Sequence, residues 1–304
     1  MTDLIRAGIR IATRGSQLAL WQANWLRAQL EAQGLHCELV RIETQGDREH
    51  TPFAKMQGQG FFTKAVQTAV LEHRADIAVH SLKDLPSAIT PGLVIATIPE
   101  REDARDVLIA RIEFLNDSSP FGLKPGTVVG TSAVRRRAQV QAIDPRLELR
   151  ELRGNVPTRI EKLRRGEYGA VILAAAGLNR LELDLSDLHM RTLEPHEFVP
   201  APGQGALAFE CRTDDVNAID ALVSMNSDHA SMTATAERGL MARLEGGCQL
   251  ALGAHATREQ NGWRLQVWYE RFFEVRASSI DAVIEQAIQE IERGTRKEEA
   301  RTAR

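Results

Sequence analysis

A rhythm of short apolar runs and amphipathic helical stretches fills the first 220 residues and breaks twice. That rhythm commits a chain to an α/β architecture, because parallel strands need long crossover connections. Residues 9–12 form an apolar run. Ser16 stands where a helix N-cap is expected, Leu18, Trp21, Trp25, Leu26 and Leu30 recur at helical spacing, and Gly34 suits the stop. Residues 37–42 alternate as a strand, and 44–60, polar and glycine-rich, predict a long functional loop. Residues 61–71 predict a helix, and 77–79 and 93–98 predict strands. The charged stretch 101–106 predicts a hinge. The rhythm then restarts, with strands at 128–129, 147–152 and 170–173 and helices at 133–143 and 156–163. A second crossing is expected at 200–205, before a strand at 206–211. Two β-α-β units joined by two crossings predict two lobes with a cleft between them. Beyond about residue 222 the pattern changes. A helix at 231–243, a Gly-Gly-Cys loop, strand-like 263–274 and a helix at 281–290 predict a small third domain, with 294–304 fraying. The expected domains are 1–102 with 205–221, 103–204, and 222–304.

Composition narrows the function. A chain of 304 residues can bury several cores without disulfide or metal staples, and 43% hydrophobic with 26% charged residues is ordinary for a globular protein. A net charge of −3 argues against a generic binder of nucleic acid or of anionic membranes. The longest apolar run, 170–178, is too short to span a bilayer, and Asp3 and Arg6 lie where a secretory signal would need apolar residues. Three cysteines make no disulfide framework, so a reducing cytoplasm is expected. With no CxxC and no histidine pair at ligand spacing, no metal site is expected.

Charge is concentrated locally. Residues 124–165 carry eleven basic and four acidic side chains. Arg135, Arg136 and Arg137 follow the small-residue turn Gly130-Thr131-Ser132, a strand end meeting a helix start, where backbone N–H groups attract anions. Arg153-Gly154-Asn155, with Arg159 beyond it, repeats the theme, as does Arg14 beside Gly15 and Ser16. Arginine grips carboxylate or phosphate bidentately. A solvated basic helix face and a polyanion site both remain open. Lys83-Asp84-Leu85-Pro86 closes a strand, where Asp84 serves either a ligand site or a turn before proline. Cys248, behind two glycines, is either an accessible thiol or an unremarkable loop cysteine. Cys37, Cys211 and His80 suit the core. Residues 202–205 suit a hinge or cleft wall, and no Walker lysine pattern or GxGxxG appears.

Taken together, these segments resemble the porphobilinogen deaminase family. The matching stretches are residues 11–22, 74–86, 130–136, 152–159, 175–180, 203–206 and 244–249, in family order. The resemblance implies an α/β fold of two lobes like type II periplasmic binding proteins, plus a small α/β third domain. It implies a transferase that condenses four porphobilinogen molecules head to tail, releasing ammonia and giving hydroxymethylbilane for tetrapyrrole biosynthesis. It implies one dipyrromethane cofactor per chain, in thioether linkage to Cys248. Asp84 matches the catalytic carboxylate. Lys83, Ser81, Thr131, Ser132, Arg135, Arg136, Arg153 and Gly154 match cofactor contacts, and Arg14, Ser16, Arg153, Arg159, Arg180 and Gln204 match substrate contacts. A monomer, with no nucleic-acid or membrane partner, is implied.

The implied chemistry suits the residues. Each pyrrole carries acetate and propionate, which arginines bind. Loss of ammonia leaves an azafulvenium-like cation, which a buried Asp84 would stabilise while moving protons. Several positions depart from the family pattern: Ala133 replaces a hydroxyl, Gln59 replaces a lysine in the loop that carries Lys55, Leu250 stands where proline is usual, and 261–279 look compressed. Two rivals share some of the features. An anion-binding module explains the lobes and arginines but leaves Asp84 and the cysteine loop without a use. A thiol hydrolase needs a histidine (His80, His229 or His255) beside Cys248.

Overall fold

The computed structural model describes residues 8–43, 61–244 and 250–302, with the side chains of 61, 62 and 295–302 left aside. Two compact units result, Met1–Glu102 with Gly205–Ser231, and Asp103–Gln204 with Met232–Arg304. The chain thus leaves the first unit after Glu102, returns at Gly205 and leaves again after Ser231.

In the first unit, β1 (Ile9–Thr13), β2 (Cys37–Arg41), β3 (Ile77–Ser81), β4 (Leu93–Thr97) and β10 (Leu207–Arg212) form one sheet in the order β2-β1-β3-β10-β4. The first three are parallel, and β10 runs against β3 and β4. Helix α1 (Gln17–Ala32) packs Ala23, Leu26 and Leu30 on Ile9, Ile11, Ile77 and Phe209. Helix α2 (Phe61–Leu71) packs Val66, Ala69 and Val70 on Ala12, Ala78 and Leu93 of the other face. With both faces covered, Ile77, Ala78 and Val79 are all buried, which is why β3 lacks alternation in sequence. Helix α6 (Val216–Val223) follows β10.

The second unit repeats the plan. β5 (Asp106–Ala110), β6 (Val128–Gly130), β7 (Glu148–Arg150), β8 (Ala170–Ala174) and β9 (His189–Leu193) take the order β7-β6-β8-β5-β9, with β7, β6 and β8 parallel and β5 antiparallel to its neighbours. Both antiparallel strands, β5 and β10, are the first after a crossing. Helix α3 (Val134–Ile143) sets Val140 on the Leu108 and Ala110 face of β5. Helix α4 (Val156–Arg164) sets Ile160 and Leu163 on the Val107 and Ile109 face, so the period of two splits one strand between two cores. Helix α5 (Ala175–Leu181) follows β8. Two sheets of like order are what the implied type II lobes require. The same unit holds an antiparallel sheet, β11 (Gly253–Glu259), β12 (Gly262–Tyr269) and β13 (Arg271–Ala277), covered by α7 (Asp228–Arg243) and α8 (Ile280–Thr302). Its core gathers Leu240, Leu265, Val267, Phe273 and Val283.

Several expectations need correction. Residues 101–106 are not only a break: Asp106 opens the buried strand β5. β9, β11, α5 and α6 were not expected from the sequence; β9, for instance, is mostly exposed and polar. The strand-like stretch 263–274 is a hairpin, turned at Glu270 with φ of 61°, so two full strands fit the stretch that looks compressed. The chain does not fray from Gly294. α8 continues to Thr302. The loop expected at 44–60, including Lys55 and Gln59, lies outside the described residues. Among the described residues no helix is long and apolar enough to cross a membrane.

Candidate functional site

In open α/β sheets, ligands bind beyond the carboxyl ends of parallel strands, where loops meet helix N-termini. Most of the expected residues are found there, Arg14, Ser16, Ser81, Lys83 and Asp84 in the first unit and Thr131, Ser132, Arg135, Arg136, Arg153 and Gly154 in the second, whereas Arg180 lies in the last turn of α5 and Gln204 on the crossing segment.

In the first unit, β1 ends at Thr13, whose Oγ1 donates to the Ala19 carbonyl at 3.0 Å and ties the strand end to α1. Ser16 caps that helix as expected, its Oγ accepting the Ala19 amide at 3.3 Å. Arg14 between them is half-buried. β3 ends at Ser81, whose Oγ accepts a hydrogen bond from the buried Gln22 side chain at 2.9 Å. The 3-10 turn Leu82–Asp84 follows. Leu82 and Leu85 are buried, and Leu82 N donates to Ala206 O at 3.0 Å, so the turn is pinned, with Lys83 half-buried and Asp84 exposed. Asp84 is exposed in this unit, not buried as the mechanism anticipated. Burial lapses at Lys83 and Asp84 and resumes at Leu85, because the two polar residues interrupt the apolar positions of the turn. His80 is a core residue: Nε2 lies 3.0 Å from Glu210 Oε2, which also accepts from Gln67 Nε2 at 2.9 Å.

The second unit holds most of the donors. Thr131, after β6, is buried, and its Oγ1 has no hydrogen-bond partner among the described residues. An unsatisfied buried hydroxyl is costly, so it marks a place where a ligand atom completes the structure. Ser132 Oγ donates to Leu152 O at 2.7 Å and accepts from Leu152 N at 3.1 Å, stitching the ends of β6 and β7 together. Ala133 is the N-cap of α3 and offers no side-chain acceptor, which leaves the first-turn amides to water or an anion.

Arg135 and Arg136 are not a solvated face. Both are buried against Asp106, itself wholly buried. Arg136 donates Nε at 3.0 Å and NH2 at 2.7 Å to Asp106 Oδ1, and NH1 to Ile172 O at 2.8 Å. Arg135 NH2 lies 2.8 Å from Asp106 Oδ2, and its NH1 donates to Val199 O at 2.6 Å. Burial pulls the Arg135 guanidinium below its ordinary pKa, against the attraction of Asp106. Two guanidinium groups share one carboxylate, so the cluster keeps a positive surplus.

Arg153 turns back on Glu151 at 2.7 Å. Gly154 adopts φ of 114°, and a Cβ there would sit 2.7 Å from Thr158, so only glycine fits the turn. Asn155 caps α4 through the Thr158 amide at 3.0 Å, and Arg159 Nε donates to Gly154 O at 2.7 Å. Arg180 is buried on α5. Gln204 is wholly buried, donating to Ala104 O at 2.7 Å and Asp106 Oδ1 at 3.1 Å. Cys248 lies outside the described residues. Cys37 and Cys211 are free and buried, and burial pushes both thiols up to about 11.

The sequence reading missed Asp106, Gln22, Glu210 and Glu237. Each is a polar side chain inside a core, and its only signal is a charged or amide residue next to an apolar run.

The donor set fits a polycarboxylate: hydroxyl, guanidinium and uncapped helix amides at one edge of the sheet. Comparison with known proteins gives this chemistry a context. A family model described as porphobilinogen deaminase, dipyromethane cofactor binding domain, matches residues 9–220, and one described as porphobilinogen deaminase, C-terminal domain, matches residues 231–297. The chain is 46% identical over 253 residues to the porphobilinogen deaminase of Trichlorobacter lovleyi, covering 82% of this chain and 78% of that one. Among solved structures it is similar to an ancestral cationic amino acid solute binding protein (14% identity, 73% of this chain and 90% of that one, TM-score 0.46). It is also similar to an amino acid ABC transporter substrate-binding protein of Streptococcus pneumoniae (14%, 74% and 90%, TM-score 0.42).

Proposed function

The chain belongs to the porphobilinogen deaminase family, enzymes of tetrapyrrole biosynthesis that condense porphobilinogen on a dipyrromethane cofactor, and we propose how its own residues divide that work. Cys248 anchors the cofactor through a thioether. When bound, the cofactor supplies the free pyrrole carbon to which the next unit is joined. Thr131, Ser132, Arg135, Arg136, Arg153 and Gly154, with Ser81 and Lys83, hold its carboxylates. Arg14, Ser16, Arg159, Arg180 and Gln204 serve the incoming porphobilinogen, Gln204 from within the core. Four condensations, each releasing ammonia, followed by cleavage from the primer with addition of water, would give hydroxymethylbilane.

Asp84 carries the chemistry. Its carboxylate stabilises the cation left when ammonia departs, and it moves the proton between the leaving amine and the attacked carbon. Leu82 and Leu85 hold the turn, so little reorganisation is needed during reaction. Covalent anchoring makes each condensation effectively intramolecular.

One observation carries this reading. Among the described residues the Thr131 hydroxyl, just past the end of β6 and four positions before Arg135, is buried without a hydrogen-bond partner, and Arg135 and Arg136 share the single carboxylate of Asp106; a ligand carboxylate supplies both the missing acceptor and the missing charge. By domain, residues 1–102 with 205–221 bring Asp84, 103–204 bring the arginines, and 222–304 bring the cysteine. We infer a monomer in a reducing cytoplasm, and light scattering of the purified chain tests the oligomeric state.

Intact-mass measurement tests the core of the proposal. The purified chain should exceed its sequence mass by two deaminated pyrrole units, and Cys248→Ala should lose them. Asp84→Asn should keep the added mass and lose most turnover. A folded wild-type chain that lacks the added mass even after incubation with porphobilinogen sinks the reading of Cys248, and near-normal substrate consumption by Asp84→Asn sinks that of Asp84.

A further inference from the structure

Glu237 sits on the inner face of α7 and is wholly buried. Its neighbours on that helix, Ala236 and Leu240, are apolar core residues. A carboxylate among them is expensive unless every lone pair is engaged. Both of its oxygens are engaged, and by different parts of the chain. Oε1 accepts the Ala256 amide of β11 at 3.0 Å, within the small domain. Oε2 accepts the Gly203 amide at 2.7 Å, on the crossing segment. A second contact reinforces the grip, since Ala254 N donates to Pro200 O at 2.9 Å. The approach is close: a Cβ on Gly253 would lie 2.8 Å from Val199.

The polar chain continues from there. Gln204, the residue after Gly203, donates to Asp106 Oδ1 at 3.1 Å. Asp106 in turn holds Arg135 and Arg136 at 2.8 and 2.7 Å. A buried run of hydrogen bonds and ion pairs therefore leads from α7 to the arginine pair, through the single peptide Gly203-Gln204. α7 is also the helix that leads to Cys248 in sequence. Its last residue, Arg243, is six residues past Glu237, about 9 Å along the axis.

We propose that Glu237 is a positioning residue for cofactor attachment: through Gly203, Gln204 and Asp106 it holds the helix leading to Cys248 in fixed relation to Arg135 and Arg136. This rests on the reading of Cys248 and the arginines given above. In the attachment, a sulfur–carbon bond forms as the carbon–nitrogen bond of the aminomethyl group breaks. The amine leaves as ammonia, taking the thiol proton. The incoming pyrrole's carboxylates must be held while its methylene carbon reaches the sulfur, so both grips have to be correctly spaced. A misplacement of about 1 Å costs such a reaction on the order of a hundredfold.

The test uses the full chain, produced in cells that cannot make porphobilinogen, then incubated with porphobilinogen and followed by intact mass. Glu237→Gln keeps the volume and loses one of the two acceptors. It should gain pyrrole mass about tenfold or more slowly than wild type. Leu240→Ala, on the same helix and buried, lowers stability without cutting the polar chain, and should load within about twofold of wild type. The inference is overturned if Glu237→Gln loads as fast as wild type, or if Leu240→Ala is slowed as much. If wild type itself gains no mass, the reading of Cys248 fails instead. Should Glu237→Gln not fold, Glu237→Asp, which keeps the charge and shortens the reach, is judged by the same outcomes.

Discussion

Individual side chains divide into those whose role follows from local sequence and those whose role follows from burial. Asp84 and the arginines stand in short motifs beside turns, so their place at strand ends was readable from neighbours alone. Asp106, Gln22 and Glu237 were not readable in this way, because nothing local tells a buried polar side chain from a surface one. Asp144 is a similar case with a measurable consequence. It is buried, and hydrogen bonds from Arg146 and then Ser119 hold its pKa down to about 2. A carboxylate depressed in the fold binds protons more readily once unfolded, so its stabilisation is present above the ordinary pKa near 3.8 and is lost as pH falls towards about 2. Urea midpoints measured between those values should fall more steeply for wild type than for Asp144→Asn. Equal slopes would mean the pair contributes nothing across that window.

At the scale of elements, helix starts do most of the site-building. Ser16 and Asn155 cap α1 and α4, and each cap stands beside an expected arginine. Asn155 accepts both the Thr158 amide and its hydroxyl, next to Gly154, whose carbonyl holds Arg159. Asn155→Ala should lower unfolding free energy by about 1 kcal/mol, read from the urea midpoint, and should raise KM for porphobilinogen more than it lowers kcat. Asn155→Ser should recover most of both. An unchanged midpoint in the alanine variant would show the cap to be idle. The strands tell the opposite story. β1, β3 and β8 were visible as apolar runs, whereas β9 is polar and largely exposed, and β5 begins inside a run of charges. Their strand character comes from pairing with β8 and with each other, and tertiary pairing overrides local preference.

For the whole molecule, the cysteines give a simple census. Cys37 and Cys211 are buried, with thiols pushed up to about 11, so few thiolates exist to react near neutral pH. The native, cofactor-loaded enzyme should therefore take up no thiol reagent. After denaturation it should take up two equivalents of the three cysteines in the sequence, with Cys248→Ala also giving two and the unloaded wild-type chain giving three. Labelling of Cys37 or Cys211 in the native state would contradict their burial, and three equivalents from the loaded, denatured chain would contradict the thioether. The α/β class, the two crossings near residues 102 and 204 and the family were all determined by sequence alone, since periodicity, turn chemistry and short motifs are local properties. What only the tertiary structure decided is the inner wiring: the lone hydroxyl of Thr131, the two arginines closed on Asp106, and the glutamate that joins α7 to the crossing. Those depend on which groups lose their water together, and no stretch of sequence records that until the chain has packed.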